Sequence, residues 1–244
     1  VAAALAPVYL AAAYFTYTRS VWLGFALALL FFLLMALRGK WRALVVLGAV
    51  GAAVLVVAVK GDSLVAFKRD TSAADTAEST YMRASFAYVS WRMFQERPLT
   101  GIGFGQFPKE SIHYLGDRST SLRLEAIRGY IHHNTFLSVL VEMGLFGLVL
   151  LLAFYFLWAR QAWQLWRRAD LPVWVRGHGL LLLTVLGPYF LQMLFREVSY
   201  SPVENGLMFF LAGTTGSLHA TYVAAARCQP ATRTALAARL EATT

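Results

Sequence analysis

The sequence predicts an all-α integral membrane protein of about six transmembrane helices with one large external loop containing an amphipathic helix. Three observations predict it. Hydrophobic residues make up 58% of the chain and charged residues 14%, with a mean hydropathy of +0.55, too apolar for an ordinary water-facing surface. The apolar residues gather into runs near the roughly 17–25 that cross a bilayer. Lysine and arginine cluster in alternate connections between those runs.

The first run, 2–17, is the weakest, because Pro7 interrupts it and Tyr14, Thr16 and Tyr17 polarise its end; proline is tolerated in membrane helices. Runs 20–37 and 43–59 follow, joined by a short connection carrying Arg38, Lys40 and Arg42. After a long polar segment come 136–158, 178–195 and 203–222. The connection 159–177 carries Arg160, Arg167, Arg168 and Arg176, and the tail carries Arg227, Arg233 and Arg239. With six spans these three basic segments share one side, which the positive-inside rule makes cytoplasmic. They carry most of the formal charge of +9, so no nucleic-acid partner is needed to explain it. The layout is therefore three spans in 1–59, an external loop over 60–134, three spans in 135–222 and a cytoplasmic tail over 223–244. Val1 opens inside apolar sequence with neither an initiator Met nor a charged leader, which reads as the continuation of a membrane domain whose N-terminal half lies upstream. The lone Cys228 has no partner for a disulfide within the chain. Trp158, Trp163, Trp166 and Tyr200 read as an interfacial aromatic belt, and Arg196 and Glu197 as interfacial charges.

A polar segment as long as 60–134 is uncommon unless functional. Ten Lys/Arg against eight Asp/Glu make it no polybasic patch. Ser79 reads as the cap of a helix over 80–96, in which Met82, Phe86, Val89 and Met93 form one apolar stripe. Arg83 and Ser90 share another face. The helix is expected to lie on the membrane surface or to cap the bundle. Pro98 ends it, and Gly101, Gly103 and Gly105 follow in alternation. Their spacing is not that of a dinucleotide loop. They read as a sharp turn or a close backbone approach, the latter able to offer amides to phosphate oxygens.

The segment Arg128-Gly-Tyr-Ile-His-His-Asn-Thr-Phe-Leu137 runs straight into the fourth apolar run. Polar groups at such an edge are functional candidates, because they can meet a lipid-borne substrate at its headgroup. Histidine titrates near neutral pH and serves as a base; arginine holds phosphate through a planar fork that never loses its charge. Arg19, at the external edge of the run 20–37, breaks apolar sequence where the positive-inside rule disfavours it. Glu142, nine residues beyond His133, points nearly opposite it on a helix and is able to pair with an arginine in the bundle or to orient a polar network. The three histidines His113, His132 and His133 lack any accompanying metal motif, so no metal site or cofactor is expected.

Taken in order, Thr18-Arg19-Ser20, then Arg83, then Arg97-Pro-Leu-Thr-Gly-Ile-Gly-Phe-Gly-Gln-Phe107, then His133-Asn-Thr-Phe-Leu137 and Glu142-Met-Gly-Leu-Phe-Gly147 resemble the O-antigen ligase and polymerase superfamily of bacterial envelope glycosyltransferases. The resemblance covers about residues 15–215. It implies a multi-pass protein of the bacterial inner membrane whose large loop is periplasmic. It implies transfer of a glycan from an undecaprenyl-pyrophosphate carrier to lipid A-core or another glycan acceptor, without a metal. By resemblance His133 is catalytic and Arg19 and Arg83 hold the pyrophosphate; His132 has no counterpart in the pattern. Asn134, Glu142, Gly103 and Gly105 are candidate supporting residues. An O-antigen or exopolysaccharide polymerase of the same superfamily is the alternative. A transporter or flippase fragment, with Arg19 and Glu142 lining a path, is the alternative of another class, and a purely structural membrane subunit comes third.

Overall fold

The computed structural model describes residues 11, 15, 19–66 and 73–224, and their side chains except at 19–20, 53, 56–66, 73–79 and 224. Among these residues all regular structure is helical: α1 Arg19–Ala36, α2 Lys40–Ala66, α3 Ala73–Glu96, a short α4 Phe107–Glu110, α5 Thr135–Arg167, α6 Val173–Phe195 and α7 Pro202–His219. Single 3₁₀ turns at Ser111–Tyr114 and Leu124–Ile127 shape the polar segment, and a π turn, Ala220–Ala224, extends α7. Five helices thus fall on the apolar runs expected to form them; the run 2–17, apart from residues 11 and 15, and Cys228 lie outside the described residues. Among those described, α5 and α6 are long and apolar enough to cross a membrane, and the apolar stretch Val21–Ala36 of α1 is shorter.

The α1–α2 corner turns at Gly39, whose φ of 59° suits a residue without Cβ. Arg42 donates from Nε to the Leu37 carbonyl at 3.3 Å, placing a cation at the negative end of α1. The chain forms two compact units: 1–152 with 187–201, and 153–186 with 202–244.

In the first unit α1 packs on α2, and Gly24 lets α1 approach Pro188 of α6, whose Cβ a Gly24 side chain would meet at 3.4 Å. The unit's core gathers around α3. Phe86, Val89 and Met93 are buried with Phe107, Leu115, Leu124, Ile127 and Val141, each such burial contributing about 1.5–3 kcal/mol on a transfer basis. The stripe read from the sequence is therefore real, but it faces the polar segment's own residues rather than only a membrane surface. Ser85 Oγ donates to the Arg123 carbonyl at 3.4 Å, and Tyr88 donates its hydroxyl to Asp117 at 2.7 Å. The Ser119 amide and the Tyr88 hydroxyl together hold the Asp117 carboxyl down at about 2. Two local readings change. Helix α3 starts at Ala73, because Ala-Ala-Asp-Thr-Ala-Glu favours helix, so Ser79 lies inside it and not at its cap. Ser90 is fully buried while Arg83 is exposed; their shared helical face has packing partners only at its later turns.

In the second unit Leu165, Leu171, Val175 and Val223 form the core. Gly179 fits where a Cβ would lie 2.6 Å from the Ala162 carbonyl oxygen. Arginines at this end stack on the tryptophans: Arg167 lies 5.7 Å from the Trp163 ring and Arg176 5.3 Å from that of Trp166. Cation–π pairs of this kind suit an interfacial belt.

Candidate functional site at the start of α5

Helix α5 is broken at Gly144, whose φ of 66° and ψ of −168° are open only to glycine. Such a break frees backbone groups on both sides, and each needs a partner. The segment 98–103 supplies them. Ile102 N–H donates to the Val141 carbonyl at 3.0 Å and Gly103 N–H to that of Glu142 at 2.9 Å. In return Leu145 N–H donates to the Pro98 carbonyl at 2.8 Å and Phe146 N–H to that of Leu99 at 3.3 Å. The approach is close enough that a Cβ on Gly101 would sit 2.4 Å from the Glu142 carbonyl carbon, and one on Gly144 2.3 Å from the Leu99 oxygen. The alternating glycines thus form a close backbone approach, and what they approach is α5.

Glu142, at the break and buried, completes the junction. Its carboxylate accepts from Gly105 N–H at 2.9 Å and from Phe107 N–H at 3.3 Å, and from the Tyr200 hydroxyl at 3.0 Å. It organises a polar network, as its position allowed, with amides and a phenol rather than an arginine. Tyr200 stacks on Phe104 with ring centroids 5.1 Å apart. Its own burial, with the adjacent Glu142 carboxylate, pushes the phenol well above its ordinary range, which keeps it a donor. Tyr200, read as part of an aromatic belt, therefore also locks the glycine loop. Nothing in its type or spacing announced that role.

The two histidines occupy opposite environments. His132 is buried, its Nε2 hydrogen-bonded with Ser90 Oγ at 2.7 Å, and its ring lies 3.7 Å from that of Phe107. Burial first, and the neighbouring His133 second, push its pKa down to about 3, so it stays neutral. His133 is exposed and meets the edge of the Phe86 ring at 5.5 Å. Arg83 lies one helical turn before Phe86 on α3; it is exposed and forms no ion pair among the described residues. Arg83 thus sits on α3 one turn before the residue whose ring His133 meets. Arg19 is the first residue of α1, and its side chain lies outside those described.

Asn134 caps α5: its Oδ1 accepts from Leu137 N–H at 2.9 Å while its Nδ2 donates to the Leu194 carbonyl at 3.2 Å. Next to it, Thr135 donates its hydroxyl to the Arg196 carbonyl at 2.9 Å and accepts from Val198 N–H at 2.8 Å. The start of α5 is therefore tied to the end of α6 directly beside His133. Glu197, expected as an interfacial charge, is instead buried and accepts from Ser199 N–H at 2.9 Å. Among the described residues no three His, Cys, Asp or Glu side chains converge as a metal-ligand set.

The arrangement presents an imidazole on a well-anchored edge, next to a helix that carries an exposed guanidinium. That pairing suits removal of a hydroxyl proton near a phosphate group. No curated protein matches the chain. The family model described as O-antigen ligase matches residues 3–152, a stretch that contains Arg19, Arg83, the glycine loop, His133 and Glu142. With more than half of its residues matched in this way, the chain belongs to the O-antigen ligase family.

Proposed function

We propose that this protein transfers a glycan from an undecaprenyl-pyrophosphate carrier to an acceptor sugar at the periplasmic face of a bacterial inner membrane, as a multi-pass ligase. The observation that carries the proposal is the contrast between the two histidines: His132 is locked neutral in the core while His133 stands exposed beside the helix bearing Arg83. In the reaction the acceptor oxygen forms a bond to the anomeric carbon, and the bond from that carbon to the pyrophosphate oxygen breaks. The acceptor's proton passes to the His133 imidazole. The electron pair leaves on the pyrophosphate, whose charge Arg19 and Arg83 neutralise, so that no metal is required. Asn134 and Thr135 fix the base by fixing the helix that follows it.

In vitro transfer by the full-length enzyme, paired with donor-binding measurements, tests this. His133→Ala should lower turnover by about 10²–10⁴, the range for lost acid–base catalysis, with donor binding kept. Near-normal turnover would remove histidine from the mechanism. A deletion strain separates ligase from polymerase: undecorated lipid core with long carrier-linked polymer supports the ligase, and single repeats on the core indicate the polymerase. Reporter fusions at Gly39 and Gly116 should report opposite compartments; the same compartment for both would refute the six-span topology.

A further inference from the structure

We propose that residues 98–108 are an interfacial membrane anchor, seated in the acyl chains of the outer leaflet beside the break in α5. The inference rests on α5 crossing the bilayer and goes beyond the chemistry proposed above. Residues 98–108, Pro-Leu-Thr-Gly-Ile-Gly-Phe-Gly-Gln-Phe-Pro, hold no charged side chain, yet Glu96-Arg97 and Lys109-Glu110 bracket them and the surrounding segment is dense in charge. That pattern suits a short apolar insertion held between two polar shoulders.

The level of the insertion follows from its hydrogen bonds. The loop pairs with residues 141–146 of α5. From the break to the end of the apolar run, 145–158 extends for about 21 Å at ~1.5 Å per residue, short of the ~30 Å hydrocarbon core, and the basic connection begins at 159. The break therefore lies within the outer leaflet, and the loop docked there lies at the same depth. Its side chains agree. Leu99 is 66% exposed and Phe104 56%, while Phe146, whose amide bonds to the Leu99 carbonyl, is 72% exposed. Leu99, Phe146 and Leu145 thus continue the lipid-facing surface of the helix onto a segment that belongs, in sequence, to an external loop.

Hydrogen bonds within the protein answer much of the usual objection. Irregular chain is tolerated near hydrocarbon only where its polar groups are satisfied within the protein. The amides of Gly101, Ile102, Gly103, Gly105, Gln106 and Phe107 all have protein acceptors: Arg97, Val141, Glu142, the Glu142 carboxylate, Gly103 and again that carboxylate. Glu142 is what permits the turn from Gly105 to Phe107 to sit at that level.

The test uses the full-length protein in vesicles, with Cys228→Ser as background and single nitroxide-labelled cysteines at Leu99, Phe104, Val149 and Gly116. Leu99, Phe104 and Val149 are exposed side chains, and Gly116 has open space around it, so labels should be accommodated. Collision with oxygen, which partitions into lipid, is compared with collision with a water-soluble nickel chelate. Leu99 and Phe104 labels should share the oxygen-favouring ratio of Val149, with Gly116 shifted toward nickel. Nickel-favouring labels at Leu99 and Phe104 with an oxygen-favouring Val149 would overturn the anchor alone. Nickel-favouring labels at all four positions would overturn the span of α5 as well. Labels at Leu99 and Phe104 shielded from both reagents would overturn the anchor in favour of a protein contact.

Discussion

Replacing Gly144 by alanine should open the junction between α5 and the glycine loop. Two costs combine. An alanine held at φ 66° and ψ −168° occupies a region nearly closed to L residues, a strain of about 1–3 kcal/mol. Its Cβ would also lie 2.3 Å from the Leu99 carbonyl oxygen and 2.6 Å from the Thr100 amide nitrogen, both backbone atoms that cannot rotate away. The loop must withdraw, losing the bonds from Leu145 to Pro98 and from Phe146 to Leu99, at about 0.5–1.5 kcal/mol each. The sum is about 2–6 kcal/mol, a large part of a typical stability of about 5–15 kcal/mol. Gly213→Ala is the control, because that glycine sits in α7 with open space around it, and alanine there should be neutral or stabilising by about 0.5–1 kcal/mol. Purified protein would be compared by thermal unfolding and by the rate of tryptic cleavage after Lys109, which reports local opening. If Gly144→Ala melts and resists trypsin as Gly213→Ala does, the loop does not depend on the break, and the reasoning fails.

Tyr200→Phe removes the phenol from the Glu142 carboxylate and should lower stability by about 1 kcal/mol, since the ring is partly solvated; Glu142→Ala, which leaves two amides unpaired, should cost more in the same melts. His132 titrates at about 3 when folded against an ordinary 6.5, so between those values the unfolded chain binds more protons. Stability should hold above about pH 6.5 and fall as pH drops toward 3, by at most about 1.4 kcal/mol per pH unit, and His132→Gln should flatten that limb of a pH series of melts. Arg19→Lys should lose part of the transfer activity despite its retained charge, because an ammonium lacks the bidentate fork; full activity in the transfer assay would remove Arg19 from pyrophosphate recognition.

The helices were legible because their apolar runs are set by composition alone, and Pro98 and the Phe86–Val89–Met93 stripe were legible from local sterics and period. The break in α5 was not. Gly144 stands in a run where small residues are common, and the partners that make its conformation tolerable lie about forty residues earlier as bare backbone. Glu142 was visible as an anomaly in apolar sequence, but its acceptor role toward Gly105 and Phe107 is written in no side chain. His132 and His133 are adjacent and identical in type; only the packing of Phe107 against His132, and its hydrogen bond with Ser90, separate core from surface. Ser79 misled because a good cap residue followed by an amphipathic stripe is indistinguishable, locally, from the same serine inside a helix that started earlier.

The crossing of 98–103 over 141–146 also decides where this chain tolerates added or lost residues. A stretch that looks like an ordinary connection is pinned in register at Pro98, Leu99, Ile102 and Gly103, so one residue inserted at Thr100 would misalign pairings on both sides of the helix break. Gly116 is exposed and a Cβ there would meet nothing within 4 Å, so added length is accommodated more easily there than at the crossing. Among sequences of this family, gaps should collect around 116 and avoid 98–107. Epitope tags and fluorescent fusions placed by the same rule should leave the protein intact at the first position and ruin it at the second.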